Sequence, residues 1–316
     1  MRRIGGSIIL LCAAFCAISQ AEQLTFQTQT AQHGQQFAYH WLDASLHSHH
    51  LEFNLPHESI DATPLQLSHY QASLAQRHVT VEMLKVARQF DPRDARITIR
   101  QRGEAIEVNV EGRNQQQLND IQQELLAVKE KAYQTYLQDR YYVPYTTPLN
   151  QQAVKPDHIR FISLSTPLLI PASQAFYEQL PPQSGARDYF NLVLSWAQSI
   201  PYDPLDDRNG SNGAGFLPPV ALLLNNKGDC DSKSVLTASI GRAFLPSTPM
   251  VLVLLPSHAL LGIALPPKAE DQTIEWNGTR YVLMEPTGPN LLPAGQVAQS
   301  SLPALTTGQY TVEKIP

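Results

Sequence analysis

Between residues 185 and 285 the hydrophobic period changes once, from helical to strand-like, and this restricts the fold more than any other feature of the chain. GARDYFNLVLSWAQSI (185–200) places Tyr189, Leu192, Val193, Trp196, Ala197 and Ile200 on one helical stripe. After the loop PYDPLDDRNGSNGAGF, a second helix is expected from about Cys230. Its apolar face is Val235, Leu236, Ser239, Ile240 and Ala243, and Pro246 ends it. Short apolar runs follow: PMVLVLLP (249–256), HALLGIAL (258–265), then TIEW and TRYVLME on either side of Asn277-Gly278, a dipeptide suited to a tight hairpin. Helix, loop, helix and antiparallel meander together predict an α+β fold in which helices pack on an antiparallel sheet.

The opening MRRIGGSIILLCAAFCAISQAEQ combines two arginines, an apolar run and Ser19-Gln20-Ala21, the pattern of a cleavable leader, so 1–21 is expected to be a signal peptide and the protein to be exported, to the periplasm in a bacterium. No later segment is long and apolar enough to span a bilayer. Cys12 and Cys16 fall in the leader, which leaves Cys230 alone, allows no intramolecular disulfide and requires a fold held by packing. Removal of Arg2 and Arg3 leaves 21 basic against 28 acidic residues, a net charge of about −7. With no clustered Lys and Arg, a nucleic-acid surface is not expected.

The rest of the chain is expected to form a small α+β domain over 22–140, then a linker and approach strand over 141–184, then the helix–meander domain over 185–316. In the first, FAYHWLD (37–43) and HHLEFNL (49–55) read as a hairpin. A helix at 74–90, strands at 96–100 and 105–110, and a long polar helix at 114–138 follow. The 141–184 segment carries seven prolines and one apolar strand candidate, HIRFISL. His47, His49 and His50, with His40 on the neighbouring strand, have no acidic or cysteine ligand at matching spacing. They read as a solvated hairpin end, and neither a metal nor a cofactor is expected.

Chemistry concentrates at NNKGDCDSKSVL (225–236). Asp229 is a good N-cap, so Cys230 sits at the first helical position, where unpaired N–H groups and the helix dipole favour an anion and hence thiolate. Gly228 suits the turn before the helix. Asp229 and Asp231 oppose thiolate formation, so a basic partner is required. His258, heading a strand after a two-residue break, is the candidate. Glu285, at the end of the strand paired next in the meander, is the candidate acceptor that sets the imidazole's tautomer.

An apolar helix ending in Tyr202-Asp203, then Gly228-Asp229-Cys230 opening a helix, His258 heading a strand and Glu285-Pro286-Thr287 occur in an order that resembles the transglutaminase-like superfamily of papain-like thiol enzymes, over 186–287. The resemblance implies a papain-like core and acyl transfer through a Cys230 thioester on a peptide or protein of the cell envelope, with water or an amine as acceptor. It also implies an oxyanion hole built from the Cys230 N–H and an upstream donor such as Tyr202. The family more commonly carries Asp where this chain has Glu285, and often a tryptophan or acid downstream of the histidine that is missing here. The alternatives are therefore an amine-acceptor transglutaminase and a catalytically silent envelope binding or scaffold protein.

Overall fold

The computed structural model describes residues 21–206 and 215–316. The expected leader, apart from Ala21, and residues 207–214 of the loop before the cysteine helix lie outside the described residues.

Strands β1 (Glu22–Ala31), β2 (Gly34–Leu42) and β3 (Ser48–Pro56) form an antiparallel meander with β2 in the centre. The expected hairpin is β2–β3, with Trp41 opposite His49. Alternation sends Phe37, Tyr39 and Trp41 of β2 and Leu51, Phe53 and Leu55 of β3 to one buried face. That face packs against α6 (Ala186–Ser199): Trp41 Nε1 donates to Ser195 Oγ at 2.9 Å, and the Tyr39 ring meets Trp196 edge-on. Trp41 is fully buried, so Trp41→Ala is expected to cost about 3–5 kcal/mol of stability, read as a lowered urea midpoint.

Helices α2 (Ala72–Ala87) and α3 (Gln115–Asp139) follow a short α1 (His57–Asp61) and pack with the hairpin β4 (Ala95–Arg102)–β5 (Ala105–Gly112) around Val79, Met83, Ile99, Ile121 and Leu125. Asn114 caps α3 by accepting from the Gln116 and Gln117 amides. Residues 22–140 thus feed two cores, one shared with the C-terminal half and one their own.

The 141–184 segment differs from expectation. It folds into a hairpin, β6 (Tyr142–Thr146) and β7 (Gln152–Pro156), and two helices, α4 (His158–Leu168) and α5 (Ile170–Glu178). HIRFISL, expected as a strand, is the start of α4. Its buried positions are His158, Phe161, Ile162 and Ser165, a helical spacing that seven residues of mixed polarity do not distinguish from a strand. Asp157 caps α4 by accepting from the Arg160 N–H, and Pro171 occupies the first turn of α5, where its missing N–H costs nothing.

A second short helix, α7 (Pro219–Asn225), leads to α8 (Cys230–Phe244), which is partly exposed at Cys230 and Asp231 and buried on every side from Ser232 to Gly241. Helices α4, α5, α6 and α7 surround it, and strand β9 lies against it. The sheet is antiparallel, in the order β10 (Thr273–Trp276), β11 (Thr279–Met284), β9 (His258–Ile263), β8 (Met250–Leu255), β12 (Thr311–Ile315), so the expected simple meander is not formed: the second strand of the β10–β11 hairpin pairs with β9 and leaves β10 at the edge. Its other face is covered by the C-terminal segment and α9 (Leu302–Thr307), around Val251, Val253, Leu260 and Leu283. Burial of both faces explains why β8 is apolar at every position. Asn277 and Gly278 both take positive φ, as a tight hairpin turn requires. The architecture is a mixed one, helices packed on antiparallel sheets. Among the described residues, no helix is long and apolar enough to cross a membrane.

Candidate active site

The site is assembled where α8 starts. Asp229 accepts from the Ser232 N–H at 2.9 Å, so Cys230 is the first helical residue, as its position predicts. Gly228 does not take a positive φ. It is needed for space, since a Cβ there would stand 2.7 Å from Leu222 Cδ1 and 3.3 Å from Ser232 Cβ. The segment before α8 is stitched to the end of α6: Tyr202 pairs with Gly228 in a parallel bridge, with Gly228 N–H donating to Pro201 O and Asp203 N–H to Gly228 O. Lys227 Nζ and Asp203 Oδ2, 2.6 Å apart, close the same junction. Tyr202 is half exposed, and its hydroxyl is held above its ordinary pKa by burial and by the neighbouring Cys230, so it stands at the mouth of the site.

Strand β9 brings the histidine. A two-residue turn, Pro256–Ser257, separates Leu255 from His258, which face each other in register. Ala259 then docks on the cysteine helix, its carbonyl accepting from Ser234 Oγ at 3.2 Å. The residue beside His258 is therefore bonded to the helix that begins at Cys230. His258 Nε2 itself lies 2.8 Å from both carboxylate oxygens of Glu285. Glu285 is 1% exposed and follows β11, which pairs with β9. Its Oε1 also accepts from the Thr287 N–H, and its carbonyl accepts from Gln198 Nε2 of α6. Gln198 further bonds both the N–H and the carbonyl of Leu292, so a buried amide clamps the strap that carries Glu285.

The electrostatics of the two halves differ. Burial alone would lower the His258 pKa, but the hydrogen bond and charge of Glu285, with help from Asp231 and Asp229, raise it above its ordinary value. The Cys230 thiol moves up, first because it is buried and then because Asp231 and Asp229 flank it, and it donates to Asp231 Oδ1 at 3.5 Å. The helix terminus is thus outweighed, and the resting sulfur is a thiol. Asp229 is pushed up to about 7 by burial and by Asp231. Asp231 is raised by burial, against the pull of Cys230, Lys155 and His258.

Three site residues escape sequence reasoning. His158 of α4, 1% exposed, points Nε2 at Asp231 Oδ2 across 3.6 Å and has no hydrogen-bond partner on either ring nitrogen among the described residues. Burial, then Lys155, holds its pKa well below the ordinary value. Lys233, one helical turn after Cys230, is fully buried, a position at which i+3 spacing was the available signal. Gln198 gave no signal beyond lying on the stripe-bearing helix. The hairpin histidines are engaged locally, His49 with Asp43 at 2.9 Å and His40 with Ser48 at 2.7 Å. In comparisons with known proteins, no family model, no curated protein and no solved structure matches the chain.

Proposed function

We propose that the protein is an exported cysteine hydrolase of the transglutaminase-like type, acting on peptide or amide bonds in the cell envelope, with a papain-like core over its C-terminal half. The observation that carries this reading is the histidine. Its Nε2 is fixed by a buried carboxylate, while its neighbour Ala259 is bonded to the helix that begins with the only thiol among the described residues. A carboxylate only accepts, so it holds the proton on Nε2 and leaves Nδ1 as the base. In the reaction, Nδ1 takes the thiol proton as the sulfur attacks the carbonyl carbon. The imidazolium then returns that proton to the leaving amine, and water, activated by the same nitrogen, cleaves the thioester. The Cys230 N–H, at the open end of α8, and the Tyr202 hydroxyl are the donors this reading assigns to the developing oxyanion. An amine in place of water would make the same site a transglutaminase.

Because burial and two aspartates keep the thiol protonated at rest, the proton is removed during attack and not beforehand. The same observation favours the second reading, a catalytically silent envelope scaffold that retains the constellation. Iodoacetamide alkylation of Cys230 separates them. In the enzyme, His258→Ala should slow alkylation at neutral pH by about tenfold or more, within the range attributed to a positioned general base. An unchanged rate in that variant, with the fold intact by circular dichroism, would leave the scaffold as the surviving reading.

A further inference from the structure

We propose that Cys230, Asp231 and His158 form a binding site for a divalent transition-metal ion of the zinc type, and that the ion, when bound, takes the thiol out of the reaction. The metal site stands without the thiol-enzyme reading, and only its inhibitory consequence rests on that reading.

The start of α8 gathers three donors: a ligand atom from each of Asp229, Cys230 and Asp231 lies within 4.8 Å of the other two. An acidic helix start alone would identify nothing. The independent observation is His158, which reaches the cluster from α4. It is 1% exposed, and neither of its ring nitrogens has a hydrogen-bond partner among the described residues. A buried polar ring in that state is costly unless another ligand satisfies it. Its Nε2 faces Asp231 Oδ2 at 3.6 Å, too far for a hydrogen bond. The Cys230 sulfur stands 3.5 Å from the other oxygen, Asp231 Oδ1. In a tetrahedral zinc site, bonds of about 2.0–2.1 Å to N and O and about 2.3 Å to S set neighbouring N and O about 3.3 Å apart and neighbouring S and O about 3.5 Å apart. The carboxylate of Asp231 therefore has a sulfur at ligand spacing on one side and an unpartnered imidazole slightly beyond it on the other. Thiolate, imidazole and carboxylate together suit zinc, whereas magnesium and calcium take oxygen ligands.

The surroundings fit a cation. Asp229 adds negative charge while keeping its bond to the Ser232 N–H. The ammonium of Lys155, which Asp231 also senses, is paired with Glu313 at 3.0 Å. Burial disfavours protonation of His158, so its imidazole ligates without first losing a proton. His258 stays outside the set because Glu285 holds its Nε2. Cys230 and Asp231 are both partly exposed, which gives an ion its way in. Binding forms a metal–sulfur bond and breaks the S–H bond; the proton passes to solvent and no oxidation state changes. The sulfur lone pair is then held by the ion and does not attack a carbonyl.

The test uses the full chain, freed of metal by a chelator and dialysed, with Zn²⁺ added at neutral pH. Alkylation by iodoacetamide is read on the peptide that contains Cys230, so zinc held by the hairpin histidines does not register. Zinc at about ten times its half-protecting concentration should slow alkylation about tenfold, as occupancy of one site requires, and EDTA should restore the rate. Co²⁺ should give the near-ultraviolet charge-transfer band of a cobalt–thiolate bond. His158→Phe keeps a ring against Phe216 and removes the ligand. It should raise the half-protecting zinc concentration about tenfold or more, the least that loss of even a supporting group costs a metal site. His258→Ala, referred to its own zinc-free rate, should leave half-protection where it is. Absence of protection in the wild type overturns the proposal. So does half-protection that His158→Phe leaves unchanged, or that His258→Ala abolishes, since the ion would then sit on the catalytic pair. If His158→Phe does not fold, Asp231→Asn takes its place, with the same expected shift and the same overturning result. The enzyme reading is tested separately, by the zinc-free rates of wild type and His258→Ala, so either can fail while the other stands.

Discussion

Glu285→Gln is expected to lower turnover of an activated ester or amide by about 10³–10⁴-fold without unfolding the protein, the scale on which a histidine held in the wrong tautomer loses activity. Glutamine has the same shape, and the site around Glu285 is closed, so packing is preserved. What changes is proton placement. The carboxylate has both oxygens 2.8 Å from His258 Nε2 and offers only acceptors, whereas an amide can donate to Nε2 and drive the ring proton to Nδ1, the nitrogen needed as base. Ring NMR of His258 supplies the second readout. Its pKa, raised in the wild type mainly by Glu285, should fall in the variant. The linkage follows in sign. Because the folded-state value is raised above the unfolded one, the pair's contribution to stability is complete below the unfolded histidine pKa and disappears as pH climbs through the folded value. Glu285→Gln should therefore flatten the decline of stability across that window. Turnover within tenfold of wild type would remove Glu285 from the orienting role.

Asp231→Asn acts in the opposite direction. Asp231 raises the thiol pKa by charge and by accepting the S–H hydrogen bond, second only to burial itself. With asparagine the charge is gone, and alkylation of Cys230 at pH 7 should rise by about tenfold, corresponding to roughly one unit in the thiol pKa. His158, left facing a neutral amide in place of a carboxylate at 3.6 Å, should remain uncharged, since burial dominates it. A rate equal to or below the wild type would show that burial alone holds the thiol protonated.

These two substitutions also mark where sequence reasoning was strong and where it stopped. Asp229, Cys230, His258 and Glu285 were found because each occupies an element end: a cap, a first helical residue, the head of a strand and the residue after one. Ends are signalled locally by residue type and by the change of hydrophobic period; the structure joins His258 to Glu285 directly, on a strand that packs against the helix begun by Cys230. The balance of charge was not legible in the same way. The helix start argues for thiolate, yet burial and the flanking acids prevail, and burial depends on α4 to α7 closing around α8. His158 shows the same limit, because a stretch read as a strand in a proline-rich linker is a helix whose first residue reaches Asp231. The hairpin of 37–55 was legible from its alternation, but neither the third strand β1 beside it nor the burial of Trp41 against Ser195, 154 positions away, was.

By itself, then, the sequence determined that helices precede an antiparallel sheet, that Cys230 stands at a helix start and which residue types are able to serve it, because period, caps and turns are encoded within a few positions. Only the tertiary structure decided that the thiol rests protonated, that Lys233 and His158 stand behind it and that Gln198 clamps the Glu285 strap. Those properties depend on which groups lose water together, and desolvation is set by packing between segments that are distant in the chain.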